Sequence, residues 1–150
     1  MIRPAISALL LATALFAEPN FTGAWRMDPQ RSNFGEMPLP SKLVSRIEHK
    51  GASIRVVTDQ SGGGAPGRAD YKYTTDGKES INKIKSNELK TVGRWQGSSL
   101  MLTHTLNFQG SETLTMEDEW RIDEGGALVQ IRKMKTPQGV LQTTTVLLKQ

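Results

Sequence analysis

The regular alternation of short strand signals and turns after residue 42 constrains this chain more than any other feature. Between residues 43 and 150, segments of six to eleven residues rich in Thr, Val, Ile, Leu and aromatics alternate with Gly-bearing turns. That spacing is the mark of an all-β sandwich or barrel. Strands are expected near 21–27, 43–49, 53–60, 68–75, 78–84, 89–95, 99–108, 111–122, 127–135 and 140–149. The turns include Lys50-Gly51-Ala52, Gly62-Gly63-Gly64, Asp76-Gly77, Gln96-Gly97, Gln109-Gly110, Gly125-Gly126 and Pro137-Gln138-Gly139. Asp-Gly is the strongest hairpin signal, because a type I′ turn needs positive φ at both central residues. No stretch holds a helical period, and the long connection Asp28 to Lys42, with three prolines, reads as a loop.

Connections this short join neighbours, so the expected fold is an up-and-down antiparallel β-barrel of about ten strands, closed because closure removes exposed edges. Alternation then assigns faces. In 99–108 the even positions are Leu100, Leu102, His104, Leu106 and Phe108, and in 111–122 they are Leu114, Met116, Asp118, Trp120 and Ile122. Three-residue loops at 109–111 and 137–139 keep even positions on one side. Carried onward, the inner face takes Leu128, Gln130, Arg132 and Met134, then Val140, Gln142, Thr144, Val146 and Leu148. For the last two strands the opposite face offers Val129, Ile131, Leu141 and Leu147, and a slip of one residue would exchange the sets. The threonines at 103, 105, 113, 115, 143 and 145 read as a polar outer face.

Residues 1–17 have the layout of a secretory signal: basic Arg3, an apolar run from Ala5 to Ala17, then Glu18-Pro19. The alternative is an uncleaved anchor helix, which the run is short for. The expected product is a single domain, residues 18–150, secreted or periplasmic, monomeric, with no further stretch able to cross a bilayer as a helix. Removing Arg3 leaves 18 basic against 15 acidic residues, so the net charge falls from +4 to about +3. Those basic residues are scattered rather than gathered on one face, so nucleic acid is not the expected partner. With no cysteine, disulfides, thiolate metal sites and a cysteine nucleophile are excluded.

Phe21-Thr22-Gly23-Ala24-Trp25 resembles the Gly-x-Trp signature on the first strand of the calycins, the superfamily of lipocalins, fatty-acid-binding proteins and avidins. The resemblance implies a lipocalin-like barrel in which Trp25 lies across one end, Gly23 lets the chain bend there, and a basic side chain near the C-terminus packs over the indole. That partner is usually Arg in the family, and the final strand here offers Lys149. Fatty-acid-binding proteins place two helices where this chain has Asp28 to Lys42. The chain also resembles secreted bacterial domains of the lipocalin-like kind.

An interior carrying His104, Asp118, Gln130 and Arg132 among Leu and Met is costly unless those groups pair, meet water or meet a ligand. The register sets His104 opposite Met116 and Leu102 opposite Asp118, so His104 and Asp118 are diagonal neighbours. The expected function is binding of a small hydrophobic or amphipathic molecule in the interior. Arg132 would hold a head group such as a carboxylate, and Trp120, Met116 and Tyr71 or Tyr73 would line an apolar slot. The alternative is a protein-interaction or envelope-structural module with a filled barrel and a structural Asp118–Arg132 pair. A catalytic use of His104 with Asp118 has no nucleophile motif behind it, so no enzyme and no cofactor are expected. His49 and His104 lie far apart with no Cys, so no metal is expected either. Gly62-Gly63-Gly64-Ala65-Pro66-Gly67 opens no helix and reads as a hairpin tip. Alternation sends Glu117 and Glu119 to the face opposite Asp118. Asn20-Phe21-Thr22 has the form of a glycosylation acceptor.

Overall fold

The computed structural model describes residues 17–108 and 113–150. The expected leader therefore lies outside the described residues save for Ala17, as does the 109–111 loop. The ten strands are β1 (Gly23–Met27), β2 (Lys42–Lys50), β3 (Ser53–Ser61), β4 (Gly67–Thr74), β5 (Asp76–Ile84), β6 (Asn87–Gln96), β7 (Ser99–Asn107), β8 (Thr113–Ile122), β9 (Leu128–Thr136) and β10 (Gly139–Lys149). All pairings are antiparallel, in the order β4-β3-β2-β1-β10-β9-β8-β7-β6-β5. Chain neighbours pair except for β4 and β5, where the ladder is open, and β1 joins β10. The result is an up-and-down, nearly closed barrel.

That opening corrects the reading of Asp76-Gly77 as a tight hairpin turn. The pair begins β5 instead, with Asp76 opposite Arg94 and a bulge between Asp76 and Glu79. The two strands diverge, and Asn82 spans the gap: its amide accepts from Lys72 N at 2.9 Å and donates to Lys72 O at 2.9 Å. One side chain thus supplies both partners that a ladder would have provided to that residue. Gly93 on β6 completes the closure, since a Cβ there would collide with the Thr74 carbonyl and approach Leu102 Cδ2 at 2.9 Å.

The register of β7 on β8 is the expected one, with His104 opposite Met116 and Leu102 opposite Asp118. β9 also keeps its even residues inside, Asp118 facing Arg132 and Trp120 facing Gln130. β10 departs from expectation. Gly139 pairs with Thr136, so the connection has two residues, not three, and Thr136 Oγ1 donates to Gly139 O at 2.8 Å. The odd residues Leu141, Thr143, Thr145 and Leu147 are therefore those facing Met134, Arg132, Gln130 and Leu128. Val140, Gln142, Thr144, Val146 and Leu148 turn outward, and Thr143 and Thr145 leave the expected outer face for the inner one.

Two of those outward residues still have work in the fold. Val146 packs with Ala127, Val129 and Ile131 in a small external cluster. Against it lies the chain that follows β1: Ser32 Oγ accepts from Val146 N at 2.9 Å, Asn33 bridges to Thr144, and Arg31 pairs with Asp123 at 2.8 Å. The long connection is thereby fastened along the edge of β10, past the end of β1, before Phe34 reaches the cavity.

The closed end is built on the opening motif. Trp25 is 2% exposed, and its Nε1 donates to Phe21 O at 2.9 Å. Lys149 Nζ stands 5.7 Å from the indole centroid, taking the basic partner's place. Gly23 has φ +154°, and a Cβ on it would meet Lys149 Cε at 3.0 Å and Trp25 Nε1 at 3.4 Å. The small residue two places before the large one makes room for the indole and for the cation over it. Phe21, wholly buried, stacks on His49 and Trp95 and meets Trp120 edge-on.

Candidate functional site

Four strands align a polar chain across the barrel. Inward alternation on β6, β7, β8 and β9 brings together Thr91, His104, Asp118 and Arg132. Thr91 Oγ1 lies 2.8 Å from His104 Nδ1, and His104 Nε2 lies 2.9 Å from Asp118 Oδ2. Arg132 donates from Nε to Asp118 Oδ1 and from Nη2 to Oδ2, both at 2.7 Å. This is a two-point guanidinium–carboxylate pair of the strong kind. Burial opposes the Asp118 charge, but the Arg132 hydrogen bonds and charge, helped by His104, outweigh it and hold the carboxyl well below the usual range. Burial likewise opposes the Arg132 charge, and Asp118 again prevails, so the guanidinium stays protonated.

The chain runs from a sealed region to an open one. His104 and Asp118 side chains are 1% and 6% exposed, whereas Arg132 is 42% exposed, and that exposed surface faces the lumen. The lumen is a cavity of about 460 Å³, a size that suits a small guest. Of the residues expected to line it, Arg132, Asp118, Gln130, Trp120, Tyr71 and Tyr73 do so. His104 and Met116 do not: His104 packs behind Asp118 against the Tyr73 ring at 5.4 Å, and Met116, opposite His104 on the same inward face, is buried away from the cavity. Burial raises the pKa of the Tyr73 and Tyr71 hydroxyls, with nearby Arg132 opposing. Both stay neutral at neutral pH.

The reading from sequence missed three groups. Phe34, Met37 and Pro38 come from the long connection and line the cavity, and a loop carrying such apolar residues was the available signal. Leu43, Ser45, Val56, Thr58 and Gln60 come from β2 and β3, where alternation could have been applied as it was later in the chain. Thr143 and Thr145 were lost to the two-residue turn.

Thr91, His104 and Asp118 are ordered like a hydroxyl, a base and an orienting acid. Yet Thr91 is wholly buried and only Asp118 of the three reaches the cavity, so a guest has no path to that hydroxyl. Among the described residues no group of three His, Cys, Asp or Glu could hold a metal ion, and no helix is long and apolar enough to cross a membrane.

No family model and no curated protein matches the chain. Solved structures do. A zebrafish ileal bile acid-binding protein complexed with cholic acid superposes with a TM-score of 0.62 at 20% identity, covering 87% of this chain and 98% of that one. A secretory abundant heat soluble protein from Ramazzottius varieornatus gives 0.62 at 14% identity, covering 91% and 100%. A protein described as the REP1-NXSQ fatty acid transporter gives 0.59 at 14% identity, covering 86% and 95%. At these identities the likeness is one of fold, and the fold is the ten-stranded, up-and-down barrel of the fatty-acid-binding-protein and lipocalin kind.

Proposed function

We propose that this protein is an exported binding protein that holds one small hydrophobic or amphipathic molecule inside its barrel, with the polar end of the guest against Arg132. One observation carries the reading: the cavity of about 460 Å³ reaches the Asp118–Arg132 pair. A barrel filled by its own side chains would seal that pair in. Asp118 occupies Nε and one hydrogen of Nη2, so the remaining N–H groups of the guanidinium are left for an oxygen acceptor such as a carboxylate. Val56, Trp120, Tyr71 and Tyr73 offer apolar surface beside it. Structural neighbours named for bile-acid binding and fatty-acid transport add support by analogy. Export rests on the layout of residues 1–17.

The test is native mass spectrometry of protein isolated without detergent from its own host, before and after organic extraction, with uptake of an apolar fluorescent dye as the second readout. A stoichiometric mass that extraction removes, on a chain starting near Glu18, supports both parts. Ala69→Trp, which fills the lumen from β4, should abolish dye uptake while leaving the β-sheet circular dichroism unchanged. Protein that carries no guest and takes up no dye would refute the binding reading. An intact N-terminus on protein recovered from the cytoplasm would refute export.

A further inference from the structure

The cavity wall has two chemical faces, and the polar one extends well beyond Arg132. Ser45 and Thr58 face the lumen and share a hydrogen bond of 2.8 Å. Gln130, Thr143 and Thr145 line it from β9 and β10. They form a block with Arg132, because Gln130 is opposite Thr145 and Arg132 is opposite Thr143. Among the described residues the Gln130 amide and the two hydroxyls have no hydrogen-bond partner. Among the described residues every side-chain N or O atom sealed from water does have one, so these three unpaired groups open onto the lumen. The remaining wall, with Val56, Tyr71, Tyr73 and Trp120, is apolar and aromatic.

We propose that the guest is an oxygen-rich amphiphile, carrying several hydroxyl or carbonyl groups along its length, and not a plain alkyl chain. The proposal deepens the binding reading above and rests on it. An alkyl chain lying across the Gln130–Thr145 and Arg132–Thr143 block would strip water from three groups and return no partner. Each buried polar group left unpaired weakens binding by roughly ten- to a hundredfold. A guest with oxygens spaced along one edge restores those hydrogen bonds and still offers hydrocarbon to the aromatic wall. The Arg132–Asp118 pair fits the same guest: it is neutral overall and presents both donors and acceptors.

The experiment compares palmitate with a trihydroxylated palmitate bearing mid-chain hydroxyls, by isothermal titration calorimetry on the mature protein. The two probes share a carboxylate and a carbon count, so the difference isolates the wall. In an apolar lumen the hydroxyls would weaken binding by a factor of ten or more. The expected result is that the hydroxylated acid binds as tightly as palmitate or tighter. Thr143→Val with Thr145→Val should then move the preference at least tenfold toward palmitate, and Gln130→Met should move it the same way. Palmitate binding tenfold tighter to the unaltered protein would overturn the proposal and leave the binding reading standing. Binding of neither acid, together with absence of dye uptake, would overturn both.

Discussion

Replacing Arg132 by Met removes the cation and keeps most of the side-chain volume, so its cost measures what the Asp118–Arg132 pair does for the fold. Asp118 is 6% exposed and accepts three hydrogen bonds, two of them from Arg132. The variant leaves a buried carboxylate with the imidazole alone. Breaking a buried pair from one side costs about 3–5 kcal/mol. Arg132 itself is 42% exposed to the lumen, which lets cavity water reach the carboxylate after the substitution. The lower end, about 3 kcal/mol, is therefore expected. For a domain of this size that is roughly a 10 °C fall in Tm. Urea denaturation at pH 7 gives the free energy, and the double variant Asp118→Asn with Arg132→Met supplies the control, since it removes both charges, keeps an oxygen for His104 Nε2 and should return stability to within about 1 kcal/mol of the parent. If Arg132→Met alone costs less than about 1 kcal/mol, Asp118 is solvated through the cavity. The pair would then have no structural role.

Three further perturbations follow from other parts of the barrel. Asp118→Asn removes the anion beside Arg132; two unit charges about 5 Å apart at an effective dielectric constant near 20 interact by about 3 kcal/mol, so palmitate should bind at least tenfold tighter by calorimetry although the protein is less stable. Gly93→Ala should destabilise by about 2 kcal/mol or more in urea, because its methyl group meets the Thr74 carbonyl at the β4–β5 opening; a neutral result would mean that the strands separate there freely. His49 accepts the Phe21 N–H at Nδ1, 3.2 Å away, and burial lowers its pKa from 6.5 against the opposing pull of the Gly51 backbone and Glu18. The unfolded chain thus takes up this proton first, so stability is full above pH 6.5 and is lost as pH falls from there toward the folded value. A thermal-melt series from pH 8 to pH 5 should show a decline that His49→Gln flattens, while equal slopes would exclude His49 as its source.

What could be read from sequence follows how each element is specified. Strands and their order come from local signals, a β-rich run bounded by turn residues, and all ten lie where those signals place them. The β7–β8 register was legible because Leu100, Leu102 and Trp120 leave one self-consistent buried face, whereas β9 offered Val129 and Ile131 on the other side. β10 was harder: its two faces carry nearly equal apolar content, Val140, Val146 and Leu148 against Leu141 and Leu147. The choice then falls to the turn, where one residue more or less between Thr136 and Gly139 reverses every side chain. The patch of Ala127, Val129 and Val146, with Ile131 against it, caused the ambiguity, since these residues form a second apolar cluster apart from the main core. Asp76-Gly77 misled for a related reason. A turn propensity does not specify whether its flanking strands remain paired, and here Gly93 and Asn82 decide that from a distance.

The same distinction explains why the interior is open on one side and solid on the other. Residues of β2, β3, β4, β8, β9 and β10 line the cavity, whereas β5, β6 and β7 contribute none. On that second side Leu89, Thr91, Leu100, Leu102 and His104 are buried. Asp118 stands at the boundary, with His104 bonded on the filled side and Arg132 on the open side. A buried carboxylate held by one partner would be free to turn; held by two, on different strands, it has a fixed plane and so fixes the guanidinium. The imidazole, in turn, is held at its far nitrogen by Thr91. The sealed Thr91–His104 segment is thus best understood as the support that sets the direction of Arg132. Arg132 is the member of the chain with surface to offer a guest, so the precision of the cavity's polar end is established by residues that the guest does not touch.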